Sequence, residues 1–363
     1  MSSRYLSFDR KLFTVTLGLL AFGLVMIYSS SAVLALTRKG DPGYFFKHQL
    51  VWAIIGVGAL FFTQRIPYTR WAQRKWVLGL MSLEVALLLL ALASPSINGS
   101  HRWIKLGPMT LQPSETAKLV VVILGAFLLN KRVEEKREWT KALVPLGAYV
   151  GFVAVLILVQ PDLGTVVILG AIMVSLLLVA GLPWKWLGGM ILIGAVAVSV
   201  LAVSSPYRRQ RLMTFMNPES DVRHEGFQAQ QSLIAVGSGG LVGKWMGGSS
   251  QKLLFLPEPH TDFIYAMIGE ELGLVGNLLV LGCFLFFGYL GLKAVRGAPD
   301  LFGALLAMGI VSWVVLQALV HIMVTLTLLP TKGLPLPLLS YGGSNLVVTL
   351  AGIGILLNVS EHE

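Results

Sequence analysis

The sequence predicts an all-α, polytopic membrane protein. Of its 363 residues, 55% are hydrophobic and only 13% are charged, whereas a soluble domain carries about 25% charged residues. Successive apolar segments match the roughly 30 Å hydrocarbon core of a bilayer. Because backbone groups in lipid need hydrogen-bond partners within the protein, such segments are expected to form a helical bundle.

Ten apolar segments are predicted to cross the membrane. The first follows a basic start, as in a signal peptide, but its length and the alternation of charge along the chain favour a helix that stays in the protein. The segments are 12–36, 46–63, 76–93, 114–130, 142–159, 163–182, 186–203, 263–293, 301–329 and 342–359.

The positions of lysine and arginine predict that both termini are cytoplasmic. In this orientation the inner segments hold fifteen of these residues and the short outer loops hold six, as the excess of positive charge on the cytoplasmic side requires. Residues 204–260 then form one large extracytoplasmic loop before span eight, within a single membrane domain, 1–363. The net charge of +10 is therefore a topology signal. We expect no nucleic-acid binding, because no basic stripe with interleaved aromatics lies on a soluble face.

The outer loops contain three further patterns. Residues 207–215 and 226–235 each predict a short helix on the membrane surface. For the basic cluster at 208–211, lipid phosphates and solvent are alternative partners. Residues 330–337 interrupt the hydrophobic pattern with proline and glycine, which is tolerated at membrane depth where the backbone lines a cavity or is buried in protein.

Charged side chains at the start of spans four and six are candidates for a polar cavity. Glu115 and Lys118 share one helix face and are expected to pair. They form either a self-neutralising salt bridge or a cavity wall, since each charge costs roughly 3 kcal/mol to insert. Asp162 is a candidate cap of span six, which does not exclude its facing the same cavity.

Three other glutamates lie within predicted spans. Glu84 in span three has neither a predicted partner nor a predicted role. Glu270 and Glu271 lie two to three helical turns beyond Asp262, and one of them is expected to face the bundle in a packing network. The spacings of the glycines at 147 and 151, and at 269 and 273, favour close helix contact.

The outer loop before span four ends in Arg102 and Trp103. Tryptophan is common at membrane interfaces, so a membrane anchor is one interpretation. The alternative is that the arginine holds a pyrophosphate with two parallel hydrogen bonds.

Asp262, at the start of span eight, is the strongest candidate for chemistry. A carboxylate at a water–lipid boundary is costly unless it is paired or used. A helix cap is the alternative, but Pro257 and Pro259 stiffen the approach and His260 and Thr261 add polar groups at the same boundary. A partly desolvated carboxylate there would have a raised pKa and would suit a general base.

Five motifs, in order along nearly the whole chain, resemble the SEDS family (shape, elongation, division and sporulation). Two shorter segments, 28–32 and 330–333, are more similar to the division member FtsW than to the elongation member RodA. The five motifs are Arg102-Trp103, Gln112-Pro113-Ser114-Glu115, Gln160-Pro161-Asp162-Leu163-Gly164-Thr165, Pro257-Glu258-Pro259-His260-Thr261-Asp262-Phe263 and Pro335-Leu336-Pro337-Leu338-Leu339-Ser340-Tyr341-Gly342-Gly343-Ser344.

The resemblance implies a peptidoglycan glycosyltransferase that polymerises lipid II at the outer face of the bacterial cytoplasmic membrane, at the division septum. Asp262 matches the family's essential aspartate. The implied chemistry is inverting, with Asp262 taking the proton of the acceptor hydroxyl and undecaprenyl pyrophosphate as the leaving group. The residues expected to bind substrate are Glu115, Lys118, Asp162, Arg102, Trp103, His260, Thr261 and Ser344.

The resemblance also implies partners, and it leaves two rival functions open. Family members work with an FtsI-like class B penicillin-binding protein and other divisome membrane proteins. The charge of the leaving group calls for arginine, lysine or a divalent cation, Mg²⁺ or Mn²⁺, and the sequence does not decide between them. A lipid II flippase would need a pathway to the inner face, whereas the ionisable groups gather towards the outer half. A non-catalytic divisome scaffold would tolerate asparagine in place of Asp262.

Overall fold

The computed structural model describes residues 9–96, 99–107, 109–216, 225–245, 247, 258–330 and 333–361, and these are almost entirely helical. Each of the ten predicted spans coincides with a helix. The helices are α1 (Arg10–Lys39), α2 (Tyr44–Gln64), α3 (Arg74–Ala93), α4 (Pro113–Glu134), α5 (Thr140–Val159), α6 (Leu163–Val179), α7 (Trp184–Val203), α8 (Pro206–Met216), α9 (Glu225–Ser238), α10 (Ile264–Gly297), α11 (Leu301–Thr325) and α12 (Gly343–Ser360).

The helices form a polytopic membrane bundle, as the sequence predicts. Within the described residues, eight helices are long and apolar enough to cross a membrane. The other two predicted spans, α4 and α6, are 22 and 17 residues long and pack against α11. The helices α11 and α12 are mostly buried inside the bundle, whereas α7 is almost wholly exposed to the surroundings.

Two short helices and one hairpin lie outside the spans. The helices α8 and α9 confirm the two short helices predicted in the large loop, and their predicted location on the membrane surface stays a prediction. A two-stranded hairpin, β1 (Ile104–Leu106) and β2 (Met109–Leu111), pairs Ile104 with Leu111 directly before α4. The sequence did not predict these strands, because the segment is too short to show an alternating pattern. A 3₁₀-helix, Tyr68–Ala72, joins α2 to α3.

The structure contradicts the close helix contact predicted at Gly147 and Gly151, and it shows a hydrogen-bond partner for Glu84. A Cβ atom at Gly147 or Gly151 would meet nothing within 4 Å, so the prediction of close contact there is wrong. Gly269 is in close contact with α9, as predicted, whereas Gly273 is in close contact with the loop after α9. The carboxylate of Glu84 is buried and accepts a hydrogen bond from the Thr116 hydroxyl.

A polar cavity beside Asp262 as the candidate active site

Two adjoining cavities meet at the end of the bundle where the α3–α4 loop, the start of α10 and the loop before α12 converge. The larger has a volume of about 630 Å³, and five predicted site residues line it. The smaller, about 390 Å³, lies towards α7 and α8. Arg102 and Gly333 line both cavities. The five residues in the wall of the larger cavity are Arg102, Trp103, Thr261, Asp262 and Ser344.

Asp262 presents its carboxylate to the larger cavity. The N-cap position of α10 is Phe263, and no side chain caps that helix; the alternative interpretation of Asp262 as a helix cap is therefore wrong. The side chain packs against Gly333, where an added Cβ would lie 3.4 Å from Oδ2 of Asp262. Among the residues that the structure describes, none donates a hydrogen bond to this carboxylate.

The surroundings of Asp262 make its carboxylate more basic than usual. Desolvation by burial is the largest effect and raises the pKa of this carboxylate to about 6. Of the neighbouring charges, Arg211 and Arg102 lower this pKa and Glu258 raises it. Desolvation dominates because water can no longer stabilise the anion. A carboxylate with this pKa is ionised at neutral pH and is still basic enough to accept a proton.

His260 lies behind the cavity wall. Its ring is buried and packs against Phe45 at a centroid distance of 4.2 Å and against Tyr341 at 5.3 Å. Burial lowers the pKa of its imidazole to about 4, so the ring is neutral at physiological pH. The backbone carbonyl of His260 accepts a hydrogen bond from the Tyr341 amide at 2.9 Å. His260 thus fixes the backbone that precedes Asp262, and its predicted contact with substrate stays a prediction.

Thr261 and Ser344 connect the segments that surround the larger cavity. The Thr261 carbonyl accepts a hydrogen bond from the Ser340 hydroxyl at 2.7 Å. Ser344 Oγ accepts from the Gln112 amide and donates to the Thr110 carbonyl, both at 3.0 Å. These bonds tie the loop before α12 to α10 on one side and to the hairpin on the other.

Arg102 ties the α3–α4 loop to the turn before α6. Its Nε and Nη2 atoms donate to the backbone carbonyls of Gln160 and Pro161 at 2.6 and 2.7 Å. The guanidinium group is half-buried between the two cavities. Trp103 beside it forms part of the larger cavity's wall.

Asp162 both caps a helix and faces a cavity. Its Oδ1 accepts from the Thr165 amide at 3.1 Å, which confirms the predicted cap of α6. Its Oδ2 accepts from the hydroxyls of Thr165 at 2.8 Å and of Ser114 at 3.3 Å. The same residue lines the smaller cavity.

Glu115 and Lys118 form the predicted ion pair, but behind the wall of the cavity. Lys118 Nζ lies 2.7 Å from Glu115 Oε2, with side-chain exposures of 0% and 2%. Lys118 also donates to Gln317 at 2.7 Å, and Glu115 accepts from Asn345 at 2.5 Å. Asn345 itself lines the larger cavity. The pair therefore reaches the cavity through Asn345, and its own contact with substrate stays a prediction.

Three residues of the site were not predicted as site residues. Gln317 links Lys118 to the Pro335 carbonyl at 2.8 Å, Asn345 links Glu115 to the cavity, and Arg211 lines the smaller cavity. Arg211 was included only in the basic cluster at 208–211. An isolated amide in an apolar span is a signal that could have identified Gln317.

The described residues provide two carboxylates, but no metal cluster, at the larger cavity. No group of three or more His, Cys, Asp or Glu side chains in the described part of the chain could hold a metal ion. Asp262 and Glu258 both line the cavity. The divalent cation stays a prediction.

Comparisons with known proteins agree with the sequence motifs. The family model described as "Cell cycle protein", for FtsW, RodA and SpoVE, matches residues 10–363. The chain is 41% identical to "Probable peptidoglycan glycosyltransferase FtsW" of Idiomarina loihiensis, over 98% of this chain and 87% of that protein. It is 40% identical to "Stage V sporulation protein E" of Bacillus subtilis, over 100% of both chains.

Solved structures share the whole architecture. A chain of a peptidoglycan synthase complex, described as coordinating polymerization and crosslinking, is similar with a TM-score of 0.80 and 28% identity over 98% of both chains. The rod shape determining protein RodA of Thermus thermophilus is similar with a TM-score of 0.73 and 28% identity, over 99% of this chain and 98% of that one. From its motifs, its fold and these similarities, the chain belongs to the FtsW/RodA/SpoVE family of cell cycle proteins, the SEDS family.

Proposed function

We propose that this protein is a peptidoglycan glycosyltransferase that polymerises lipid II at the outer face of the bacterial cytoplasmic membrane, with Asp262 as general base. The observation that carries the proposal is the Asp262 carboxylate. It lines a polar cavity, accepts no hydrogen bond from a described residue and has a pKa raised to about 6. The relatives named as peptidoglycan glycosyltransferases support the same reaction.

In the proposed reaction, Asp262 takes the proton from the 4-hydroxyl of the acceptor's GlcNAc. The hydroxyl oxygen forms a bond to the anomeric carbon of the donor's MurNAc from the face opposite the leaving group. The bond between that carbon and the pyrophosphate oxygen breaks, the configuration inverts, and undecaprenyl pyrophosphate departs with the bonding electrons. Asp262 then releases its proton to water, which restores the base.

The smaller cavity suits the leaving group. Arg102 and Arg211 line it, and guanidinium groups hold phosphate oxygens in a bidentate geometry. Positive charge at these oxygens stabilises the negative charge that develops as the bond breaks. Apolar side chains of α7 and α8 complete the wall, among them Val198, Val203 and Leu212, as an attached polyprenyl chain requires.

The relatives also support a biological setting. Similarity to FtsW proteins and to a sporulation protein favours a role in division, at the septum. A similar chain in a complex for polymerization and crosslinking supports a class B penicillin-binding protein as the partner, since crosslinking needs a second active site. Other divisome membrane proteins are expected to join this pair.

Lipid II polymerisation by the purified protein with its cognate class B penicillin-binding protein tests the proposal. We expect glycan strands from the wild type and at least about a 100-fold loss for Asp262→Asn and Asp262→Ala, the contribution of a general base. Asp41→Asn is the matched control, because Asp41 is an outer-loop carboxylate paired with Lys47 at 2.8 Å, away from the cavity. It should retain the wild-type rate.

Normal polymer from a folded, partner-bound Asp262→Asn variant would contradict the proposal. Translocation of lipid II by that variant in vesicles would then favour a flippase. Inactivity of the wild type in both assays would favour a scaffold.

A further inference from the structure

The long helix α10 is broken close to Asp262. Gly273 has φ 68° and ψ −163°, in the middle of a helix that runs from Ile264 to Gly297. The break separates residues 264–272, which we call the front segment, from the rest of α10. The front segment begins directly after Asp262 and Phe263. It is only nine residues long, too short to be stable without tertiary contacts.

A part of the large outer loop, residues 239–244, docks its backbone into this break; we call it the docking loop. The amides of Leu274 and Val275 donate to the carbonyls of Gly240 and Leu241 at 2.9 and 3.2 Å. The amide of Lys244 donates to the Glu270 carbonyl at 3.0 Å. The docking loop thereby satisfies backbone groups that a helix break would leave without partners.

The fit between the two backbones requires glycine. A Cβ atom at Gly243 would lie 2.2 Å from the Glu271 carbonyl oxygen, and a Cβ atom at Gly273 would lie 2.5 Å from the Leu241 carbonyl oxygen. Both glycines also have positive φ angles, 79° and 68°, which other residues adopt at a cost. The docking loop therefore cannot stay in place if either glycine acquires a side chain.

Two buried carboxylates strengthen the contact. Glu270 is fully buried, and its Oε1 lies 3.1 Å from Lys244 Nζ in the docking loop. Glu271 is also fully buried and accepts hydrogen bonds from Ser29 of α1 at 2.6 and 2.7 Å. Burying a charge is costly unless it is paired, so these contacts hold the front segment between the loop and α1.

The same surface continues towards Asp262. Ala235 of α9 forms a small buried cluster with Phe263, Ala266 and Met267. Phe263 and the front segment as far as Glu270 are therefore packed by α9 and the docking loop. Because the front segment is a single short helix, a shift of its end at the docking loop also moves its start, which directly follows Asp262 and Phe263.

We propose that the docking loop sets the position of the Asp262 carboxylate, with Lys244 and Glu270 as positioning residues for the reaction. The proposal rests on the function proposed above. A general base must lie within hydrogen-bond reach of its substrate proton, and a misplacement of about 1 Å costs on the order of 100-fold in rate. The docking loop supplies that precision from outside the membrane.

Gly243→Ala tests the proposal, with Gly240→Ala as the matched control. Gly240 lies in the same loop and also has a positive φ, 57°, but its added Cβ would meet nothing within 4 Å. For Gly243→Ala in the complex with its penicillin-binding protein, we expect kcat to fall at least about tenfold with KM unchanged. The acid limb of its pH–rate profile should move to lower pH than in the wild type, because renewed hydration of the displaced carboxylate lowers its pKa. Gly240→Ala should match the wild type in both respects.

A second series of variants, at Lys244, tests the positioning role if Gly243→Ala does not fold. Lys244 is partly exposed, so its substitution leaves no core cavity. Lys244→Met should lower kcat, because it removes the ammonium group that lies 3.1 Å from the buried Glu270 carboxylate. Lys244→Arg keeps a cation at this position, and the double variant Lys244→Met with Glu270→Gln also removes the charge of the carboxylate, so both should restore kcat. Wild-type kcat and pH profile in Gly243→Ala or in Lys244→Met would overturn the positioning role. The proposed function would survive that result as long as the wild type polymerises lipid II and Asp262→Asn does not.

Discussion

At the scale of single residues, the chemistry depends on how the protein balances the charge of Asp262. Burial raises the pKa of this carboxylate, and the neighbouring charges act in opposite directions. Arg211 and Arg102 favour the ionised form, whereas Glu258 opposes it. A base is active only when it is deprotonated, so the rate must fall as the pH drops through the pKa of Asp262.

Substituting the two charges of opposite sign should move this pKa in opposite directions. Arg211→Gln removes a positive charge and should shift the acid limb of kcat/KM to higher pH. Glu258→Gln removes a negative charge and should shift it to lower pH. The measurement is the midpoint of the acid limb, which is independent of any change in the maximal rate. Shifts in the same direction, or none, would show that the limb belongs to a group other than Asp262.

Sequence motifs identified most residues of the candidate site, but not which of their side chains line the cavity and which lie behind its wall. Asp262, Arg102, Trp103, Thr261 and Ser344 do line the larger cavity. His260 belongs to one of these motifs and Lys118 lies three residues after another, but both side chains lie behind the wall. Whether a side chain reaches the cavity depends on how the helices pack. That packing is determined by side chains distant in sequence, such as those of Phe45 and Gln317.

At the scale of helices, the ion pair of Glu115 and Lys118 joins α4 to α11 and α12. The Lys118 ammonium also lies 5.1 Å from the centre of the Trp313 ring. Lys118→Met should destabilise the protein by about 3–5 kcal/mol, because it leaves the Glu115 charge buried without its cation. The double variant with Glu115→Gln should recover much of this loss. Thermal unfolding in detergent measures both; equal unfolding temperatures for wild type and Lys118→Met would contradict the prediction.

The contact between α2 and α12 depends on glycine at position 354. A Cβ there would lie 2.2 Å from Thr63 Oγ1 and 2.3 Å from the Leu60 carbonyl oxygen. We expect Gly354→Ala to lower stability by about 1–3 kcal/mol through overpacking. Gly58→Ala, on the exposed face of α2 with nothing within 4 Å, is the control and should not lower the unfolding temperature. A tolerated Gly354→Ala would mean that the two helices can separate without loss.

The hydrophobic pattern predicted every span and both short helices of the large loop, because length and amphipathicity are local properties of the sequence. It missed the break in α10, since Gly273 in an apolar run is also compatible with an intact helix. Only the docking loop, some thirty residues earlier in the chain, makes the break favourable. The spacing of Gly147 and Gly151 led to a wrong prediction of close helix contact, because spacing does not reveal whether a neighbouring helix is present.

At the scale of the whole molecule, the proposed reaction requires the Asp262 cavity to face outward. The chain has one cysteine, Cys283, so Cys283→Ala gives a cysteine-free background. In intact cells, Lys39→Cys should react with a membrane-impermeant maleimide. Glu138→Cys should react only after permeabilisation, because the distribution of lysine and arginine places it inside. The reverse pattern would contradict the orientation and, with it, the outer-face reaction.

The proposed reaction depends above all on Asp262 as the general base of lipid II polymerisation. The most direct test is the pH dependence of kcat/KM for the wild-type complex beside that for Asp262→Asn. We expect the wild-type rate to fall below a midpoint near pH 6, the pKa of this carboxylate, and the variant to be at least about 100-fold slower and to lack this limb. A wild-type profile that is flat through this range, or an acid limb that persists in Asp262→Asn, would contradict it.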